Sequence, residues 1–475
     1  MAFSTLLVRA QSRPFNVSWM EPVSITVDSM TVMDLEMLPV SRGSILVGRL
    51  ATSQFVSGSP LGHMIVNKDI LDGEHDYLSF VSKFDSDGLC AWTRLYTDST
   101  PIIVSAPNTP DEETSSITVA GKGFVHQVSI ADGTSSFDHK DASWWFYDSC
   151  TDIGTGAVFL VGKKYYADDD KSSIMVMKID NHQPTLVFES SLGAGANNYG
   201  EKIAVHGNTI MIVVSTTSTI TIGGYTFLGK KIISYNIPTK TGHIVGDDYF
   251  PLLTASKSNI GAQFYYSDSS GKDMHHATPS ISSQISFVKS GVVSITSIDS
   301  FVSFEGNDIL VVSGKVLGSA TILSTQISSS PESVYSAFIC QFSWTTTDDV
   351  NCKVISGRGT VPKLSVGPDG ETTIVLNTDS TGVECDGLRL LDGHGTWIGR
   401  FVSQRIDQPM VIVSHDIEFN PIQFLSQTYL FNRRLNVKRG FNVESGATFI
   451  FDSGGWLWLW NSTASFLGTA VGKIQ

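Results

Sequence analysis

The sequence predicts an all-β protein: a seven-bladed-like β-propeller with a small β-rich C-terminal appendage. Three observations predict it. Short runs alternate apolar and polar residues, as in 116–120 (SITVA), 126–130 (HQVSI) and 292–298 (VVSITSI), a period of two that puts one strand face on a core and the other toward polar surroundings. Helical periodicity is sustained nowhere for three turns. Finally, a two-part phrase recurs, in which an apolar run ends near Gly and a second run ends in a Lys-apolar-Asp turn.

The phrase is complete in 44–50 (SILVGRL) with 77–92 (YLSFVSKFDSDGLCAW), and returns in 157–162 (AVFLVG) with 173–188 (SIMVMKIDNHQPTLVF). With Gly48, Gly162, Ser215, Gly314 and Asn377 as equivalent points, the steps are roughly 55 residues or about twice that, a size usual for repeat arrays. The two long steps leave room for units near 97–140 and 248–302. There, 116–133 (SITVAGKGFVHQVSIADG) and 284–298 (QISFVKSGVVSITSI) each offer two strand-like runs. Seven units result. Each holds about four short strands, a sheet too small to bury both faces alone, and radial stacking around an axis covers both. A parallel β-helix is the runner-up for a Gly-rich β repeat, but its coils usually run to about 20–30 residues. Hairpin turns at 85–88 and at Asp132 and Gly133 favour antiparallel pairing.

The text GSILVGRLATSQF with DYLSFVSKFDSDGLCAW joins an apolar strand ending in Gly to an apolar-Lys-apolar-Asp strand, a Gly turn and Trp. It resembles the β-propeller repeat family called SBBP. GAVFLVGKKYY with SIMVMKID matches less fully, and GNDILVVSGKV with AFICQFSW, and TWIGRF, are degenerate copies. The likeness covers residues 42–415. It implies a fold only, and no catalytic residue comes with it. The expected organisation is an N-terminal extension over 1–40, a propeller over 41–415 and a β-rich tail or assembly segment over 416–475.

In the tail the spacing changes to very short strands punctuated by Ser-Gly, Asp-Ser-Gly-Gly and Leu-Gly. The run NVESGATFIFDSG is similar to SGAT-type repeats of viral fibre and surface proteins. The tail is expected to form an appended sheet, a strand lent to a neighbour, or the closing strand of the ring. Trp456, Trp458 and Trp460 share one strand face by their i, i+2, i+4 spacing. They form either the core of the tail or an apolar interaction face.

Composition narrows the function. Of 475 residues, 32 are Lys or Arg and 46 are Asp or Glu, giving a formal charge of -14. Nucleic-acid binding is therefore not expected, because it needs clustered cations; Arg433, Arg434, Lys438 and Arg439 read as a solvated turn. Residues 1–14 lack the pattern of a signal peptide, and no apolar run approaches the roughly 18–20 residues of a membrane span. Cys90, Cys150, Cys340, Cys352 and Cys385 show no CxxC spacing, so free, mostly buried thiols are expected, although Cys340 and Cys352 are spaced to oppose each other across a hairpin.

Asp168, Asp169 and Asp170 lack the remainder of a calcium loop, and His275 and His276 read as a loop pair without a third ligand; no metal and no cofactor is expected. No G-x-S-x-G, P-loop or dinucleotide fingerprint occurs. DSDGLCAW at 85–92 is out of register with a sialidase-type Asp-box and reads as a hairpin turn. Asn16 and Asn461 fit the glycosylation sequon, which matters only in a secreted chain. Asp138, His139 and Asp141 beside Trp144 and Trp145 have the composition of a carbohydrate-binding rim.

The reading that follows is a non-enzymatic structural or protein-interaction propeller, a capsid-associated or fibre component of a virion assembled in the host cytoplasm. Its partners are other structural proteins or copies of itself, engaged through the tail. The alternative is a carbohydrate- or receptor-binding module, cytoplasmic or brought to the cell surface by a non-classical route. A propeller glycan hydrolase or lyase, with carboxylates at the axial mouth, ranks third.

Overall fold

The computed structural model describes the strands between residues 15 and 105, residues 116–403 apart from short connections, and ten short strands between 410 and 471. Helical geometry among the described residues is confined to a single 3-10 turn, Ala167–Asp169, ended by Asp170 in the left-handed region (φ 44°). The Asp168–Asp170 stretch is thus an exposed connection between strands. All else of regular form is β.

Seven inner segments surround a central channel: Val32–Val40, Ile103–Ser105, the C-terminal half of Ser135–Thr151, Tyr199–His206, Leu253–Ala255, Val288–Val302 and Val361–Val366. Each opens a module that runs outward, and we number the modules 1 to 7 in that order. Modules 1, 4, 5 and 7 are free-standing antiparallel sheets of four strands. Module 6 adds the short strand Thr325–Ser328 to its four. Modules 2 and 3 fuse into one seven-stranded sheet, because Ser135–Thr151 pairs first with Ser116–Ser129 and then, after a bend, with Val158–Tyr166.

The apolar alternation explains why the modules stack. Buried side chains of module 1 (Ile45, Val47, Val81) cluster with those of module 2 (Ile117, Val119, Val128). Modules 3 and 4 share Val161, Ile174, Ile203 and Ile212, and modules 5 and 6 share Tyr265, Met274, Leu310 and Phe338. The cores therefore lie between sheets, as expected when wedges around an axis hide both faces.

The recurring Gly has a steric cause. In module 3 the inner strand bulges between Phe146 and Asp148, opposite Gly162, and a Cβ on Gly162 would sit 1.9 Å from the Trp145 carbonyl oxygen. In module 6 a bulge between Ile295 and Ser297 faces Gly314, where a Cβ would sit 2.3 Å from the Ser294 oxygen. Gly48 occupies the corresponding place in module 1, opposite the shift between Met33 and Glu36. The glycine leaves room for the kink that a bulge puts into a strand.

Several expectations need correction. Residues 116–129 are one continuous strand rather than two runs, turning at Gly133 (φ 72°), where the expected hairpin does form. The text 284–298 is divided between modules, since Ser282–Ser286 is the outer strand of module 5 and Val288–Val302 the inner strand of module 6. His275 and His276 lie in the strand Asp273–Ala277, not in a loop. Cys340 and Cys352 are not free thiols: they face each other in register across Ser336–Ser343 and Thr346–Ile355 and form a disulfide, with Cα atoms 4.1 Å apart. Among the described residues, the free thiols are Cys150 and Cys385.

The ring is closed by the N-terminal part of the chain. Phe15–Val23 pairs antiparallel with Gly395–Ser403 as the outer strand of module 7, and Val32–Val40 is the inner strand of module 1. Residues 15–40, set apart in the sequence reading as an extension, thus supply two ring strands.

The tail is built differently. Its strands pair in parallel as stacked rungs in three sheets: Met410–Val413, Thr428–Phe431, Thr448–Phe451 and Thr469–Val471; Ile417–Phe419, Arg434–Val437 and Trp456–Leu459; Ile422–Phe424, Phe441–Val443 and Ala464–Phe466. This is a short parallel β-solenoid, the architecture ranked second for the whole chain. The hairpin Gly382–Cys385 and Leu388–Leu391, inserted in module 7, pairs antiparallel with its first rung at Ile422–Phe424.

Candidate functional site

The bulges position the charges of the channel. Glu36, Asp148 and Lys202 are each the first residue after an inner-strand register shift, opposite Val47, Val161 and Val213 respectively. Together with Lys257, Asp299 and Lys363 they line a cavity of about 300 Å³. Three acids and three lysines from six modules therefore meet at the axis.

These charges join neighbouring modules. Asp148 of module 3 lies 3.2 Å from Lys202 Nζ of module 4 and accepts the Ile203 N–H at 2.9 Å. Asp299 of module 6 lies 3.3 Å from Lys257 Nζ of module 5, and accepts the Val366 N–H of module 7 at 2.7 Å and the Thr254 hydroxyl at 3.3 Å. Just past the end of the strand that carries Asp148, Asp152 accepts the Gly207 N–H of module 4 at 2.9 Å. Carboxylates that receive backbone N–H groups and ammonium ions make the stronger class of hydrogen bond.

Glu36 differs. Its side chain meets solvent within the channel, yet the enclosing wall strips hydration from the carboxyl and raises its pKa, against the pull of Lys202 and Lys363. Burial here outweighs attraction. Lys202 is held above the usual lysine range, chiefly by Asp148, with Glu36 adding to the effect and burial opposing it. Cys150 lines the same channel, and burial first, then Asp148 and Asp152, raise its thiol pKa well above the ordinary value. A thiol so placed stays protonated and is a poor nucleophile.

The five rim residues all fall on Ser135–Thr151, but the structure separates them. Asp138 turns to the His126 imidazole, whose pKa burial lowers, and lies 3.8 Å from Lys140. Asp141 caps a local turn by accepting the Ser143 N–H and hydroxyl, at 2.9 and 2.7 Å. His139 stacks on Trp144 at 4.8 Å, and Trp144 packs against the core shared by modules 2 and 3. Trp145, the next residue of an extended strand, is on the other face, with Lys122 Nζ and Lys163 Nζ at 4.4 and 4.1 Å from its ring centroid. Only His139 and Trp144 are brought together as a pair.

In the tail, Trp456 stands in register with Arg434, and Trp458 with Asn436 and Glu418. The alternating positions form the columns Ile417, Leu435, Leu457 and Phe419, Val437, Leu459. Trp460 and the basic residues Arg433, Lys438 and Arg439 lie outside the described residues, as do 86–88 of the first hairpin turn. Among the described residues, no three His, Cys, Asp or Glu side chains converge on a metal position, and no helix is long and apolar enough to cross a membrane.

Sequence reasoning missed the channel set entirely. Its one local signal is a charged residue within an otherwise apolar or small-residue inner strand, as in VMDLEMLPV and YGEKIAVH.

No family model matches this chain, and no curated protein matches it. The likeness to SBBP-type repeats therefore holds at the level of the propeller fold. Among solved structures, the chain is similar to U3-55K (8% identity, 68% of this chain and 91% of that one, TM-score 0.39). It is also similar to the Neurospora crassa Pan2 WD40 domain (10%, 63% and 92%, 0.37) and to the RRP9 WD40 repeats (8%, 78% and 100%, 0.40). At such scores the propeller assignment rests on the chain's own sheets, inter-sheet cores and axial channel.

Proposed function

We propose that this protein is a non-catalytic interaction propeller whose solenoid tail mediates assembly, and that it serves as a structural component of a virion. The observation that carries the first part is the channel. Two of its three acids, Asp148 and Asp299, are engaged with lysines and backbone N–H groups of adjacent modules, which suits an axle that holds the ring together better than a wall that awaits a substrate. The tail register supports the second part. Trp456 and Trp458 occupy the columns of Arg434, Asn436 and Glu418, opposite to the all-apolar columns. Large aromatic residues among polar neighbours are a usual composition for a partner surface.

Light scattering on the full chain and on residues 1–409 tests the assembly role. The full chain is expected to associate with itself or with a co-expressed particle protein, and the shortened chain to remain monomeric. Equal behaviour of the two removes the tail from assembly. Mass spectrometry of purified particles from the source tests the virion role, and absence of the protein from them removes it.

A further inference from the structure

Two seams between modules are tied by charge in the channel, Asp148 with Lys202 between modules 3 and 4 and Asp299 with Lys257 between modules 5 and 6. Three channel hydroxyls are engaged as well: Thr254 donates to Asp299, Thr296 to the Pro362 carbonyl and Ser297 to the Leu364 carbonyl. The seam between modules 7 and 1 is different. A hydroxyl joins it, Thr373 donating to the Met37 carbonyl at 3.0 Å, while the opposite charges on its two inner strands, Glu36 and Lys363, stay apart. Both line the channel, and both are open to solvent there. No side-chain hydrogen bond or ion pair ties either of them to another described residue, although Glu36 feels the charge of Lys202 and of Lys363.

Opposite charges left unpaired on one wall match a ligand that carries both complements. The charged side chains of the channel are three acids and three lysines, so a net anion or a net cation unbalances the site and a zwitterion does not. Burial raises the Glu36 pKa in spite of both lysines, and an ammonium group beside it favours the charged carboxylate. Lys363 offers its donors to a carboxylate in charge-assisted hydrogen bonds. The same cavity is walled by Leu38, Val104, Ile153 and Leu364, which suits an apolar body. Its volume of about 300 Å³ lies at the lower end for ligand pockets, the size class of an amino acid or a dipeptide.

We propose that the channel wall at the seam of modules 7 and 1 binds a small apolar zwitterion, an amino acid or dipeptide, with its ammonium group on Glu36 and its carboxylate on Lys363. The ligand is held and not turned over. The site uses the two channel charges that the axle leaves unpaired, and it does not depend on the assembly role of the tail.

Titration calorimetry of the full chain at neutral pH tests it, with leucine and leucyl-leucine as probes and the N-acetyl and amide forms of each as controls. At least one of the two probes is expected to bind. Removing its ammonium by acetylation, or its carboxylate by amidation, is expected to weaken binding at least tenfold. Glu36→Gln should weaken the free zwitterion at least tenfold and leave the acetylated form unchanged. Lys363→Met should weaken the free zwitterion as much and leave the amide unchanged. Thermal melting supplies a control for folding: the binding probe is expected to raise the melting temperature of the parent protein and not of either variant, and both variants should keep the parental circular dichroism spectrum. The end-blocked ligands read both contacts without any substitution. Absence of binding by leucine and by leucyl-leucine overturns the proposal, and so does affinity that both variants retain. Equal binding of the free and end-blocked forms overturns it as well.

Discussion

At the scale of single residues, the channel shows carboxyl groups of similar place meeting different surroundings. Asp148 receives an ammonium and a backbone N–H, whereas Glu36 is governed by lost hydration. Replacing Asp148 by Ala leaves the Ile203 N–H and the Lys202 ammonium without this acceptor, and is expected to cost about 3 kcal/mol, measured by urea unfolding at pH 7. Glu36 behaves oppositely. Its folded pKa is raised, so its favourable contribution is present below the unfolded carboxyl pKa and is lost as pH rises through the folded value. Glu36→Gln is accordingly expected to stabilise the protein at pH 7 and to leave it nearly unchanged at pH 4, and a loss of stability at pH 7 would show the carboxylate to be favourable there. Lys202, whose folded pKa is also raised, stabilises below the unfolded lysine pKa, and that contribution disappears as pH rises through the folded one. Alkaline unfolding is expected to begin earlier in the parent protein than in Lys202→Met once stabilities at pH 7 are normalised.

At the scale of the strand pair, the glycine after the apolar run in modules 1, 3 and 6 sits opposite an inner-strand bulge. The second strand of modules 3 and 6 must pass a bulged inner strand, and a side chain there meets backbone oxygen at 1.9 or 2.3 Å. Gly162→Ala is therefore expected to cost about 3 kcal/mol or more, in the upper range for overpacking, because the obstacle is backbone that cannot turn away. Thermal unfolding would read this as a drop of several degrees, while Gly156→Ala, where nothing lies within 4 Å of a new Cβ, should lose less and only through its positive φ of 70°. The disulfide belongs to the same scale. Cys340 and Cys352 close a short loop of separation 12, and Cys340→Ser with Cys352→Ser is expected to cost about 2–3 kcal/mol. Unfolding with and without reductant measures it, and the double variant should be insensitive to reductant.

At the scale of the whole molecule, the ring and the solenoid solve the edge problem in different ways. The ring joins chain segments far apart in sequence, as Phe15–Val23 lies beside Gly395–Ser403. The solenoid instead adds each rung to the one before it, with its first rung at Ile422–Phe424 covered by Leu388–Leu391. Removing residues 1–23 is expected to destabilise the whole ring, since module 7 loses its outer strand and the closure with it. Removing 410–475 should preserve a folded ring, because the seven inner strands and, among the described residues, the inter-sheet cores precede that cut. Circular dichroism melting of the two truncations distinguishes them. Retention of the parental transition by the first and its loss by the second would reverse the assignment of which segment closes the structure.

Strand positions are determined locally, which is why SITVA, VVSITSI and the turn after Asp132 could be read directly from residue order. Alternation of apolar and polar side chains marked the strands, and the repeated phrase already implied many similar sheets, but it did not fix which faces are buried: Thr118 is as covered as Ile117 and Val119, because neighbouring wedges hide both faces. Who pairs with whom is a different matter. The closure by Phe15–Val23, the fusion of modules 2 and 3 through Ser135–Thr151, the Cys340–Cys352 bond and the meeting of Glu36, Asp148, Lys202, Lys257, Asp299 and Lys363 at one axis join residues from distant parts of the chain. No local pattern specifies those meetings, because each is decided by the packing of entire sheets. The same holds for Trp144 and Trp145: adjacent in sequence, they are sent to opposite faces by the strand, one to a core and the other to a pair of lysines.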